Sequence, residues 1–94
     1  MKPLTLNDTL HIPDDVAFRK INDETILLNL ETGIYFGLDA VGSRFLELLE
    51  QTGDLAAAHR AMLKEFDVTP GVLEADLLRL SKEMCAKGLL ALVT

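Results

Sequence analysis

The side chains that could act as nucleophiles, bases or metal ligands are few and scattered. Cys85 is the single cysteine in 94 residues. Its neighbours one helical turn away would be Ser81 and Leu89, and neither is a base that could activate a thiol. His11 and His59 cannot complete a four-ligand zinc site without other donors. We therefore interpret Cys85 as a buried structural thiol and expect neither a metal nor an organic cofactor.

Sequence motifs of common enzyme classes are also missing. The chain contains no G-x-S-x-G, G-x-x-x-x-G-K-[ST] or H-E-x-x-H pattern and no glycine run with dinucleotide-binding spacing. The pairs Asp14-Asp15 and Glu47/Glu50 have the pattern of loop and surface acids, since a catalytic dyad needs burial. No catalytic residue is predicted, and the sequence favours a protein that is not an enzyme.

Composition narrows the class of protein further. A length of 94 residues with 49% hydrophobic and 26% charged residues predicts one packed domain. The net charge of −6 repels phosphate backbones, so nucleic acid is not an expected partner. The first residues lack the cationic stretch and apolar region of a secretion signal, no apolar run has membrane-spanning length, and there is no second cysteine for an internal disulfide. These features predict a cytoplasmic protein with no membrane partner.

The first part of the chain has the pattern of β-strands. Residues 1–13 are predicted to form an N-terminal arm with a short strand at 10–12, and residues 14–94 to form the domain. Strands are expected at 16–21, 25–30 and 34–38, because turn-forming residues separate runs rich in β-branched and aromatic side chains. Gly33 suits the positive φ of a tight hairpin loop. Alternation puts Ile26, Leu28 and Leu30 on one face, and Ile34, Phe36 and Leu38 on one face.

After Asp39 the hydrophobic period changes to about 3.6 residues, which indicates helices. Asp39 is placed to cap a first helix that ends at Gly53, with Val41, Phe45 and Leu48 on its apolar side. Asp54 caps a second helix, and a third runs from Pro70 to a stop at Gly88. The sequence therefore predicts an α+β fold, winged-helix-like, with an N-terminal three-stranded antiparallel sheet followed by three α-helices.

The predicted third helix has three distinct sides. Its core stripe recurs at i, i+4, i+7 and i+11 and consists of Leu73, Leu77, Leu80 and Met84. One side of the stripe is charged and is interpreted as solvated: Asp76, Arg79, Glu83 and Lys87. The other side, Leu78, Ser81 and Cys85, is small or apolar. It either completes a wide core face or leaves a shallow trough in which an extended peptide can lie.

The run I-Y-F-G-L at 34–38 has none of the devices that protect an exposed sheet edge, such as lysine or proline. Two interpretations stay open. Either a guest strand pairs with this edge, or the protein covers it itself, for which the segment 89–93 is the main candidate. With the trough, an open edge would form a binding site for an extended peptide.

The string L-L-N-L-E-T-G-I-Y-F-G-L-D at 27–39 resembles the PqqD-like family, the peptide chaperones also called RiPP precursor peptide recognition elements. The likeness continues through four later segments, so that it covers about residues 14–92: Gly42-Ser43-Arg44-Phe45, Phe66-Asp67-Val68, Glu74-Ala75-Asp76 and Lys87-Gly88-Leu89-Leu90. The residues of the hairpin and of the start of the first helix are most similar to those of the stand-alone recognition proteins of lasso-peptide biosynthesis.

The resemblance implies a non-catalytic chaperone that binds the leader of a ribosomally made precursor peptide. The leader would add as a strand to the third strand and lie against the third helix, for delivery to a maturation enzyme such as a leader peptidase, a cyclase or a radical SAM enzyme. The protein would be a monomer or weak dimer. The implied strand contacts are Ile34, Tyr35, Phe36 and Gly37, and the implied helix contacts are Leu77, Leu78, Ser81, Met84 and Cys85.

Two other functions fit parts of the pattern. A winged-helix DNA-binding regulator would use its third helix for recognition. However, such domains normally begin with a helix, and this third helix has no net positive charge. A small subunit that scaffolds an oligomer is the other alternative, and it would bind no peptide.

Overall fold

The computed structural model describes residues 3–93. The elements in chain order are β1 (Leu10–His11), β2 (Val16–Ile21), β3 (Glu24–Asn29), β4 (Tyr35–Leu38), α1 (Ala40–Thr52), α2 (Leu55–Glu65), α3 (Pro70–Ala86) and β5 (Ala91–Leu92). Strands β2, β3 and β4 form a three-stranded antiparallel sheet in that order, and β1 pairs with β5 in a separate two-stranded sheet. The predicted α+β fold with a three-stranded sheet before three helices is confirmed.

Turn and cap residues delimit the elements as their chemistry predicts. The Asp39 side chain accepts a hydrogen bond from the Gly42 amide at 2.8 Å at the start of α1. Gly53 ends that helix with a φ of 69°, in the left-handed region that favours glycine. Asp54 caps α2 by accepting from the Ala56 amide, and Pro70 occupies the first turn of α3. Local sequence thus fixes where each helix begins and where α1 ends.

The inward face of the sheet is set by β3, where Thr25, Leu27 and Asn29 are buried. Leu27 lies opposite Phe36 of β4, and Thr25 lies opposite Leu38. The predicted alternation is correct in both strands. Ile26 and Leu30 lie on the face that points outward, and they are exposed. Asn29 explains why the other face of β3 is the buried one. Its side chain makes three hydrogen bonds inside the fold, and a one-residue shift would expose all of them.

The core lies between the sheet and the helices. Phe45 and Leu48 of α1 are buried as predicted, together with Leu55 of α2. Val41 is an exception, because it lies in the first turn of α1 and is 43% exposed. Its side chain lies beside a surface groove. No helix within residues 3–93 is long and apolar enough to span a membrane.

Arg44 links α1 to α2 through a paired hydrogen bond to Glu65, with Nε and Nη2 each 2.8 Å from a carboxylate oxygen. The same guanidinium contacts Glu47, which also pairs with Lys20 of β2. The hydrogen bond from Arg44 lowers the pKa of Glu65 below its ordinary value of 4.5. This network connects the sheet to two helices at the surface.

The lowered pKa of Glu65 gives a pH-dependent contribution to stability. Because the carboxylate is favoured in the folded state, the contribution is present above the unfolded pKa and is lost as pH falls through the folded pKa. We expect Glu65→Gln to lower the melting temperature at pH 7, and the gap to wild type to close as pH falls below about 4.5. Thermal unfolding followed by circular dichroism checks this. Glu24→Gln serves as the control for the same change on an exposed side chain outside this network. A Glu65→Gln gap that is constant with pH would contradict the assignment.

Candidate functional site

Strand β4 is an edge of the three-stranded sheet among the residues described. The backbone amide of Asn29 donates a hydrogen bond to the Ile34 carbonyl at 2.8 Å. Hydrogen-bonded pairs alternate in antiparallel strands, so Phe36 and Leu38 also bond to β3. The backbone groups of Tyr35 and Gly37 therefore point away from the sheet. They are two donors and two acceptors on a free edge.

The C-terminal segment does not cover this edge. Strand β5 pairs with β1, with Leu92 opposite Leu10 and Ala91 opposite His11. Val93 continues the pairing by donating its amide to the Thr9 carbonyl at 2.8 Å. Of the two interpretations left open by the sequence, the structure therefore excludes covering of β4 by the segment 89–93.

A groove of about 620 Å³ runs between β4 and α3. One end is closed by the first turn of α1, which explains why Val41 is exposed to it. Residues of β4, the start of α1 and the loop before α3 supply one wall: Phe36, Gly37, Leu38, Asp39, Val41, Gly42 and Val68. The other wall belongs to α3 and consists of Val72, Leu73, Asp76, Leu77, Arg79, Leu80 and Glu83.

The groove has an apolar floor and a charged rim. Leu38, Leu73 and Leu77 are buried side chains at its base. On the rim, Arg79 donates to Asp76 at 2.8 Å, so these two charges offset one another. An apolar channel with polar borders suits an extended peptide that places some side chains inside and keeps its polar groups at the surface.

Phe36 connects the groove to the end of α3. Its ring is half-buried against the core on the inward face of β4, and it lines the groove. The Lys87 ammonium lies 5.8 Å from the ring centroid, within the range of a cation–π contact. This contact helps to keep the ring in place beside the groove.

Asn29 holds the two walls together. Its side-chain nitrogen Nδ2 donates a hydrogen bond to the carbonyl of Gly88, just after α3 ends, at 2.9 Å. Its side-chain oxygen accepts from the amides of Glu31 and Thr32 in the hairpin that leads into β4. Gly88 has a φ of 72°, and a Cβ there would lie 2.9 Å from the Asn29 amide nitrogen. The end of α3 and the start of β4 are thus fixed to one side chain.

The predicted strand contacts divide between the two faces of β4. Phe36 lines the groove on the inward face, whereas Gly37, whose α-carbon lies on the outer face, borders the groove through its backbone. Tyr35 is 74% exposed on the outer face, and it meets the free edge through its backbone. Ile34 precedes the strand and is exposed, with its carbonyl already bonded to Asn29.

Among the predicted helix contacts, Leu77 alone lines the groove. Ser81 and Met84 are both fully buried in the core, where a peptide cannot reach them without unpacking α3. Leu78 and Cys85 are partly buried against the core and lie outside the groove lining. Of the two interpretations of this side of α3, the burial of Ser81 favours the wide core face over a trough. The groove lies on the other side of the Leu73–Leu77 stripe, where Asp76, Arg79 and Glu83 had been interpreted as a solvated face.

Sequence reasoning missed several lining residues as site candidates. Val68 lies in the loop before α3 and Val72 lies in the first turn of α3. Both are exposed apolar side chains, which is a usable signal of a binding surface. The charged residues on the rim gave no such signal, because a charged helix side is usually solvated.

The groups that could do covalent chemistry are not gathered here. Burial raises the pKa of the Cys85 thiol, which disfavours the reactive thiolate. Within residues 3–93, no three side chains of the His, Cys, Asp and Glu types come together as a set of metal ligands. The structure describes an apolar groove beside an open strand edge.

Comparison with known proteins gives two relationships. The family model for coenzyme PQQ synthesis protein D (PqqD) matches residues 24–90, more than half of the chain. The solved structure of TbiB1 in complex with the TbiA(beta) leader peptide is 42% identical, with a TM-score of 0.80. That match covers 84% of this chain and 92% of TbiB1. A comparison with curated proteins gave no match.

The matched region includes β3, β4, all three helices and both walls of the groove. The predicted resemblance is therefore confirmed, and this chain belongs to the PqqD family.

Proposed function

We propose that this protein binds the leader segment of a ribosomally synthesised precursor peptide and catalyses no reaction itself. The observation that carries the proposal is the open edge of β4 beside an apolar groove. Membership of the PqqD family supports it, as does the 42% identity to TbiB1, which was solved with a leader peptide.

The backbone of the leader pairs with β4 as a fourth strand. The outward groups of Tyr35 and Gly37 offer up to four hydrogen bonds, each with a net value of about 1 kcal/mol. These bonds do not depend on the leader's sequence. They give affinity and fix the path of the leader along the groove.

Side chains of the leader supply the selectivity. Alternate residues of a strand point to opposite faces, so the leader residue opposite Phe36 enters the groove, and so does the residue two positions away beside Leu38. Burial of each apolar side chain contributes roughly 1.5–3 kcal/mol. Ordering a flexible peptide costs about 2–5 kcal/mol. At the favourable end of these ranges the sum is about 8 kcal/mol, which corresponds to a Kd of about 1 μM.

Delivery to a maturation enzyme follows from retention of the leader. A leader held on β4 keeps the attached core peptide near any enzyme that also contacts this protein, which raises its effective concentration. The partner enzyme in this proposal is a leader peptidase, a cyclase or a radical SAM enzyme, and the lasso-peptide class stays a prediction. This domain then acts as a tether, and the chemistry belongs to the partner.

Proline at position 35 tests strand addition. Tyr35→Pro removes an amide donor that points away from β3, so it should leave the sheet intact while blocking the guest strand. We expect about a tenfold or greater loss of affinity, because the guest carbonyl loses its partner and the ring obstructs pairing. The reference peptide is the tightest binder in a phage-displayed set that contains the TbiA(beta) leader peptide and random strand-length peptides. Fluorescence polarisation with this labelled peptide gives the affinity.

Tyr35→Ala is the matched control, since it removes the same side chain but keeps the amide. Its affinity should exceed that of Tyr35→Pro by about tenfold, with equal melting temperatures for the two variants. Equal affinities for the two variants would show that the β4 edge is not used. Duplex DNA should show no band shift in a gel with this protein, because the protein carries a net charge of −6.

A further inference from the structure

Gly37 is a strand residue that the fold itself does not require to be glycine. The positive-φ glycines within residues 3–93 are Gly33, Gly53 and Gly88, so Gly37 has backbone angles that other residues adopt. A Cβ built on Gly37 would meet no atom within 4 Å. Glycine in a strand weakens the strand, and it often marks a place where a ligand or another backbone approaches closely.

The missing side chain leaves a notch on the outer face of the sheet. Gly37 lies directly opposite Ile26 of β3, and Tyr35 is the next residue of β4 on that face. Ile26 is 44% exposed and Tyr35 is 74% exposed. We call the space over Gly37, between these two side chains, the outer notch. Its walls are apolar and aromatic, and its third side is the open edge of β4.

Register determines what would enter the outer notch. Residues directly opposite each other on paired strands place their side chains on the same face. A guest residue opposite Gly37 therefore points to the outer face, whereas its neighbour opposite Phe36 points into the groove. Neighbouring strands are about 4.8 Å apart, so a large side chain leaning over the glycine can reach Ile26, and aromatic residues cover edge glycines in this way.

We propose that Gly37 is a specificity-determining residue, whose outer notch accepts an aromatic or long aliphatic side chain of the leader. This inference rests on the proposed function and extends it. The leader is read on both faces of its strand, in the groove beside Phe36 and in the outer notch over Gly37. A leader with adjacent large apolar residues then binds better than one with a single groove anchor.

The test compares Gly37→Val with Ala17→Val, a matched change on the same outer face but on β2, far from the open edge. Ala17 is exposed and pairs with Leu28. The probes are the reference peptide and the same peptide with its outer-face large residue replaced by alanine. Affinities come from fluorescence polarisation, and melting temperatures show that each variant folds.

We expect Gly37→Val to weaken the reference peptide by about tenfold and the alanine peptide by less than about twofold. Ala17→Val should change neither affinity by more than about twofold. The melting temperature of Gly37→Val should equal or exceed that of wild type, because valine favours strands and meets no atom of the fold.

Equal weakening of both peptides by Gly37→Val, or no weakening of either, would overturn the assignment of the outer notch. A reference peptide without a large apolar residue at the outer-face position would overturn it as well. Phe36→Asp, which places a carboxylate in the groove, separates the two proposals. If this variant abolishes binding in those cases, the proposed function stands and only the assignment of the outer notch is wrong. If the phage-displayed set yields no peptide that Phe36→Asp weakens, the proposed function fails and the notch fails with it.

Discussion

Phe36→Asp is expected to reduce binding of the reference peptide by more than about a hundredfold. The side chain lines the groove, and a guest strand on β4 would cover it. A carboxylate at this position would be removed from water against the apolar floor without a hydrogen-bonding partner in the leader. The cost of burying such a group exceeds about 2.7 kcal/mol, which corresponds to that loss of affinity.

The same change should leave the protein folded. Phe36 is only half-buried, so the new carboxylate keeps contact with water while no leader is bound. Phe36→Leu keeps an apolar side chain and should retain affinity within about fivefold. Polarisation titrations and far-ultraviolet circular dichroism measure the two properties separately. Near-normal affinity in a folded Phe36→Asp variant would remove β4 from the binding site.

Ser81→Trp is expected to destabilise the fold by more than about 3 kcal/mol, or to prevent folding. Ser81 is fully buried on the side of α3 that packs into the core. The structure leaves no room there for an indole, so α3 would have to move away from the core. Both walls of the groove would then separate, and leader binding would be lost together with the cooperative unfolding transition.

Ser81→Ala provides the contrast. The Ser81 hydroxyl is buried without a hydrogen-bond partner among the described residues. Its removal should be neutral or should raise the free energy of unfolding by roughly 1 kcal/mol, with binding unchanged. Urea denaturation of both variants gives the comparison. A stable Ser81→Trp protein that has lost only peptide binding would place Ser81 in the groove and contradict its burial.

The elements were predictable because their signals are local. Asp39, Asp54 and Pro70 mark helix starts through interactions within the first turn. Gly33 closes the hairpin through its own backbone angle of 78°. The sheet face was harder to predict, since the strand 24–29 carries apolar side chains on both faces. The buried bonds of Asn29 decide it, and one of them reaches Gly88, which is 59 residues further along the chain.

The side of α3 that faces the groove was not predictable from the helix itself. The stripe of Leu73 and Leu77 identifies the core direction, but small residues on one side and charged residues on the other fit either arrangement. Only the tertiary packing of α3 decides the choice. It buries Ser81 together with the leucine stripe and leaves Asp76 and Arg79 on the groove. The charged side of α3 therefore forms the rim of the groove, and Ser81 belongs to the core.

The pairing of β1 with β5 has a consequence for how this domain can be connected to other proteins. Leu10 donates to the Gly53 carbonyl, and Val93 donates to the Thr9 carbonyl, so both outer segments are fastened at the junction of α1 and α2. None of these residues lines the groove. A fusion made beyond either segment would therefore leave from a region apart from the guest strand, and cargo or an enzyme attached there would not compete with the leader for its place.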